Sequence, residues 1–274
     1  MFPFKLSLNA STLFPFGLGI KEQLRIAAEA GYEGFEIWIR DLEAYVTNGG
    51  SIRELKRYIA DTGIAVVNAI AFFKWSDQSP EVREEGLRQA EREMRMLAEL
   101  GCPAVAAPPF GEVEQVTLDE MAVNYARLAE LGDQTGVMPY LEFWGRAKKL
   151  ARLSEAIYVA AESGRADTRI LLDPFHMHTG GSRLEGLSCL NGNRIGIVHV
   201  NDYPASSDPL LVTDEERLFP GDGAAPSSRL SELLRQIGYT GYLSLELFTQ
   251  DYGDMSAVEV AAHGIKKIKK AYGV

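Results

Sequence analysis

Two cysteines, four histidines and no extended apolar run are all that this 274-residue chain offers of the features that most readily declare a function. Cys102 and Cys189 lie far apart and form no CxxC pair, which excludes a disulfide framework and a zinc–thiolate site. Both are expected to act as small buried hydrophobes. No segment approaches the roughly 20 apolar residues that a membrane-spanning helix needs. The opening MFPFKLSLNASTLFPFGLGI is apolar, but it lacks a clear basic leader, and Ser7, Asn9, Ser11 and Thr12 interrupt it. The expectation is a soluble, cytoplasmic protein. Positive charge is also scarce: 28 Lys and Arg stand against 38 Asp and Glu, a net charge of −10 that opposes binding to nucleic acid or anionic membrane. Small neutral or metal-bound ligands remain, and a homo-oligomer is compatible with the composition. Linkers rich in Pro, Gly or Ser are missing, so residues 1–274 read as a single domain, and 46% hydrophobic residues supply a large core.

What the chain has is a rhythm. Short β-rich runs occur at residues 4–10, 34–38, 65–72, 104–107, 138–143, 169–173, 195–200 and 242–248. Amphipathic helical patterns separate them at residues 21–31, 51–63, 81–101, 118–132, 153–164, 227–238 and 255–273, with a weaker one at 182–190. Gly31, Gly63, Gly101, Gly132, Gly164 and Gly238 punctuate the helix ends, as expected for left-handed caps. Strand and helix alternating eight times predict an α/β fold, a single (β/α)₈ TIM barrel, with a doubly wound open sheet as the alternative. In a barrel, chemistry gathers at the C-terminal ends of the strands.

Those ends are acidic. The second strand carries Glu36 and the third Asn68; the fifth ends in Glu142, followed by Trp144. The sixth, in ILLDPFHMH, ends in Asp173; the seventh carries His199 and the eighth Glu246. A carboxylate inside YLEFW, LLDPF or SLELF is costly unless it is paired, protonated or bound to a cation. Glu142, Asp173, His199 and Glu246 form an oxygen-rich set for one divalent metal, Mn²⁺ first, with Mg²⁺, Co²⁺ or Zn²⁺ also suited. Structural ion pairs with Lys or Arg are the competing account. His176 is placed in the loop after the sixth strand, within reach of the same mouth. His178 is expected to support it from behind, and His263, in the last helix, to be solvated or packed. Residues 201–226 form a long loop suited to a lid. Within it, EERLFPGDG sets Arg217 before a Pro-Gly turn, from which it can fold back onto a substrate. The aromatic residues Trp38, Phe72, Trp75, Trp144 and Phe248 either stack on a substrate ring or pack the rim.

Across almost the whole chain the sequence resembles the xylose isomerase-like sugar isomerase/epimerase superfamily, and within it the inosose (2-keto-myo-inositol) isomerases. The resemblance lies in NAST, GYEGFEIW, NAIAFF, LEFWG, LLDPFHMH, the run from HVNDYP to TDEERLFPGDG, and SLELF. It implies metal ligation by Glu142, Asp173, His199 and Glu246, acid/base catalysis by Glu142 and Glu246, and substrate contacts from His176 and Arg217. Asn68 and Trp144 complete the expected substrate contacts. One departure is Pro174, where the relatives carry a small polar residue, which changes how the His176 segment leaves its strand. The resemblance further implies a keto-polyol or ketose substrate, isomerised or epimerised through an enediolate. A metal-dependent dehydratase of inosose or dehydroshikimate is the close rival. A DNA-repair endonuclease of the same superfamily needs more histidines than these positions provide, and a barrel that only binds sugar would have lost a glutamate or the histidine.

Overall fold

The computed structural model describes residues 2–273. Eight parallel strands run in the order β3-β2-β1-β8-β7-β6-β5-β4: β1 (Lys5–Asn9), β2 (Gly34–Trp38), β3 (Ala65–Ile70), β4 (Ala104–Ala107), β5 (Met138–Glu142), β6 (Arg169–Leu172), β7 (Ile195–Val200) and β8 (Tyr242–Leu245). Their near-closure gives the expected barrel and excludes the doubly wound alternative. Among the described residues no hydrogen-bonded ladder joins β3 to β4, so the cylinder has one seam.

Nine helices accompany the strands in the described chain: α1 (Ile20–Ala30), α2 (Ile39–Thr47), α3 (Ile52–Thr62), α4 (Pro80–Leu100), α5 (Leu118–Thr135), α6 (Leu153–Glu162), α7 (Pro174–Gly180), α8 (Ser227–Gln236) and α9 (Ala257–Gly273). Gly31, Gly63 and Gly101 cap their helices in the left-handed region as expected. Gly132 does not. α5 continues past it to Gly136, because Gly132 is a contact glycine: a methyl there would press on Pro139 and on the Val137 carbonyl. Ser163 rather than Gly164 caps α6. The 182–190 segment is a single 3-10 stretch, Leu184–Cys189. Cys102 is buried as expected, but Cys189 is exposed, since this short turn lies on the surface instead of packing as a helix.

Two helices escaped the sequence reading. α2 follows β2 without a break, and its N-cap, Trp38, makes no side-chain capping bond, so no punctuation marks it. α7 begins where a loop was expected. Asp173 is its N-cap, accepting from the Phe175 amide at 2.8 Å, and Pro174 occupies the first turn, where its missing N–H costs nothing. Pro174 thus starts a helix at the strand exit. The strands also stop short of the readings, so Asp173 and Glu246 stand one residue beyond β6 and β8.

Candidate metal centre and active site

The barrel interior near its C-terminal rim is polar. Register places Asn9 beside Glu36, Glu36 beside Asn68, and His199 beside Ser244, so these side chains form one layer beneath the strand ends. Glu36 is fully buried and lies 3.2 Å from His199 Nε2. It also accepts from Asn68 Nδ2 at 2.7 Å and Asn9 Nδ2 at 3.4 Å. Asn9 in turn donates to Glu246 at 3.0 Å and accepts from the Trp38 indole at 3.0 Å. Burial works against ionisation of Glu36, yet the His199 charge and these donors hold its carboxyl below the usual range.

Above that layer, Asp173, His199 and Glu246 bring one donor atom each within 4.8 Å of one another, all buried. His199 Nδ1 is 2.9 Å from Glu246 Oε2 and 3.8 Å from Asp173 Oδ2, but without the direction of a hydrogen bond. With Nε2 committed to Glu36, Nδ1 faces the same point as the two carboxylates, which hold the imidazole's pKa well above its ordinary value against burial; a cation there would take the place of that proton, with His199 oriented from behind. Asp173 is steadied by Asn201 Nδ2 at 3.0 Å. Thr12, in the 3-10 turn Ala10–Phe16, bonds the Leu245 carbonyl and the Leu247 amide, fixing the backbone on either side of Glu246.

Arg217 is no surface residue; it is 2% exposed. Its Nη1 donates to Asp173 at 2.7 Å and to Glu246 at 2.8 Å, while Nε and Nη2 hold Asp214. The guanidinium lies between the rings of Phe175 and Phe248, at 4.4 and 5.1 Å. What folds it inward is the loop itself. Backbone bonds pair Asp202 with Leu218, and the Asp202 carboxylate accepts from Tyr203, Gly221 and Ala225. Ion pairing by an arginine, the competing account of the acids, is therefore partly realised. It is insufficient for the whole set: Glu36, Asp173 and Glu246 face one imidazole and one guanidinium that is itself shared with Asp214, leaving negative charge that a divalent cation would balance. The donors fit such a cation.

Glu142 sits on the cavity wall, outside the three-residue cluster, with His176 Nε2 3.8 Å away. Burial pushes its carboxyl up to about 8, and the neighbouring Glu246 charge adds to this against the pull of His199. Burial likewise raises Glu246, opposed by His199 and Arg217. Burial would raise Asp173 too, but Arg217 and then His176 hold it well below the usual carboxylate range. Burial lowers His176 to about 4, so its imidazole is neutral.

Glu142, Glu246, His176, Arg217 and Trp144 line one cavity, and Asp173 and His199 lie behind it. Asn68 does not reach that space; it is buried and bound to Glu36. Nor does Trp75, whose indole donates to the Pro108 carbonyl in the core. His178 is turned away from His176: it stacks on Tyr203 at 3.9 Å and contacts Ser207. His263 packs on Phe219. The sequence reading gave no role to Asn9, Asn201 or Phe110 and no partner to Glu36, although NAST, HVN and GFEIW carried a visible signal for three of them. Trp144 is followed by Gly145, which faces Gly180 of α7 so closely that a methyl on either would strike the other segment's backbone.

The model of the xylose isomerase-like TIM barrel family matches residues 24–271. The chain belongs to that family. This xylose isomerase-like barrel is 28% identical over 269 residues to the inosose isomerase of Bacillus velezensis, covering 93% of this chain and 92% of that protein. It is also 28% identical over 256 residues to a 3-dehydroshikimate dehydratase of Pseudomonas aeruginosa, covering 91% of this chain but 39% of that protein. A crystal structure of the IOLI protein with a bound zinc atom matches with a TM-score of 0.90 at 24% identity over 98% of both chains, a likeness of fold.

Proposed function

We propose that this barrel is a metal-dependent isomerase or epimerase of a ketose or cyclic keto-polyol. One observation carries the reading: two buried glutamates, Glu142 and Glu246, both with raised affinity for protons, line the same cavity beside a carboxylate–histidine cluster. Asp173, His199 and Glu246 would hold one divalent cation, with Glu142 completing the set. Mn²⁺ is the first choice for so oxygen-rich a set, with Mg²⁺, Co²⁺ and Zn²⁺ as alternatives. When bound, the cation supplies Lewis acidity that makes the C–H beside a ketone removable. The protein does the rest. Glu142 enters as the protonated partner and Glu246, steadied by Asn9 and Arg217, as the acceptor. Return of the proton to the neighbouring carbon isomerises, and return to the opposite face epimerises. His176, neutral, and Arg217 contact substrate oxygens, Trp144 forms the wall, and Asn68 acts through Glu36.

The likeness to inosose isomerase supports a keto-inositol substrate, and the likeness to a dehydratase supports a second reading in which a β-hydroxyl leaves. No helix among the described residues is long and apolar enough to cross a membrane. The protein in this reading is one domain, residues 1–274, working in the cytoplasm on a diffusible small molecule, without nucleic-acid or membrane partners. The test is incubation of Mn²⁺-loaded protein with a panel of keto-inositols and ketoses in D₂O. Deuterium at the α-carbon with otherwise unchanged mass supports the isomerase, loss of water identifies the dehydratase, and the absence of both exchange and water loss with every compound rejects both.

A further inference from the structure

The cavity above the two glutamates opens to solvent and has room beyond a free polyol ring. Its volume is about 870 Å³. At about 30 Å³ per water, that is room for roughly thirty waters, whereas a keto-inositol brings only about a dozen non-hydrogen atoms. Pockets near the upper end of the usual range of about 300–1,000 Å³ enclose ligands of several rings.

The surplus space has an aromatic wall. Phe72, Phe110 and Trp144 follow β3, β4 and β5 and meet in one cluster, with centroids 5.6 Å apart for Phe72–Phe110, 6.0 Å for Phe72–Trp144 and 6.3 Å for Phe110–Trp144. Each ring is partly open to the cavity. Trp38 continues the path, 5.3 Å from Phe72 and 6.1 Å from Phe248, which lies two residues past Glu246. Aromatic rings thus line the cavity from the acid/base end to Phe110, tilted or edge-on to one another by 52° to 75°. Such a surface recognises flat apolar groups. Charge at the mouth argues against a phosphorylated sugar, because Glu112, Glu114 and Glu215 outnumber its cations Lys74 and Lys148, while Arg146 pairs with Asp214 at 3.4 Å.

We propose that the substrate is a keto-sugar bearing a flat apolar substituent, an aryl keto-glycoside, with its keto ring between Glu142 and Glu246 and its aglycone against Phe72 and Phe110. The ring placement rests on the isomerase reading above; the aryl site stands on the cavity. The test compares methyl and 4-nitrophenyl 3-keto-β-D-glucosides on Mn²⁺-loaded protein, using calorimetric titration for Kd and solvent deuterium exchange for kcat/KM. The aryl compound is expected to bind at least tenfold tighter. Phe72→Ala and Phe110→Ala, each confirmed as folded by circular dichroism, should cut the aryl-to-methyl affinity ratio at least fivefold, and Phe110→Trp should restore it. Equal affinities, or a preference that survives both alanine variants, overturn the proposal. So does a keto-cellobioside that binds as tightly as the aryl compound, since the wall would then serve a second sugar. Tighter aryl binding with no deuterium exchange fails the isomerase reading alone and leaves the aryl site standing.

Discussion

His199 shows how much of this site depends on residues that need never touch a substrate. Its Nε2 is tied to Glu36, and only that tie directs Nδ1 at Asp173 and Glu246. Removing such a supporting carboxylate lowers metal affinity by about 10- to 100-fold in well-studied metal sites. Glu36→Gln is therefore expected to weaken Mn²⁺ binding by about that factor in calorimetry; an unchanged Kd would reduce Glu36 to a packing role. Glu142→Gln and Glu246→Gln should each lower deuterium exchange by about 10²–10⁴-fold, the usual contribution of a positioned acid or base. An exchange rate equal to wild type in either variant rejects the acid/base pair. The convergence of Glu142, Asp173, His199 and Glu246 on one rim was legible because each interrupts an apolar run near a strand end. Glu36 gave the same signal in GFEIW, but its partner lies 163 residues away, and nothing local names it. His178 misled for a geometric reason: the segment is a helix, and residues two apart on a helix point to different sides.

At the scale of elements, α4 carries a charge problem of its own. Glu93 is 4% exposed; Gln89 donates to one of its oxygens at 2.7 Å, and the other has no partner. Burial pushes its carboxyl up to about 7. A folded value above the unfolded one means that the contribution of Glu93 is fully present below about 4.5 and is lost as pH rises through about 7. Glu93→Gln should remove that loss, stabilising the protein at pH 8 by an amount on the order of 2 kcal/mol, while leaving pH 4 stability nearly unchanged. Urea unfolding at the two pH values checks it, and a parallel shift at both would reject the assignment. The helices that were readable had amphipathic stripes and caps. α2 was not, since β2 flows into it, and α7 was hidden because its N-cap, Asp173, had already been claimed by the chemistry.

At the scale of the whole molecule, groups from three consecutive strand ends converge at the rim: Asp173 after β6, His199 on β7 and Glu246 after β8. On the proposed reading, a cation shared among them would tie those ends together only in the folded state. At a free metal concentration of 100 Kd this contributes about 2.7 kcal/mol, or about 5 °C in Tm for a domain of this size. Melting with and without chelator should show that difference, and identical curves would remove the cation from the folded protein's energetics. Strand–helix alternation made the barrel legible from end to end. The seam between β3 and β4 was not, because ladder pairing between particular strands leaves no local mark in composition.

The contact between Gly145 and Gly180 has a consequence for the cavity wall. With the backbones at Gly145 and Gly180 pressed together and the Thr179 hydroxyl packed against the same spot, the exits of β5 and β6 behave as one fixed jamb, carrying Trp144 and His176 together. Such a jamb sets the spacing of Trp144 and His176 on this side of the cavity, so neither side chain can be shifted without the other.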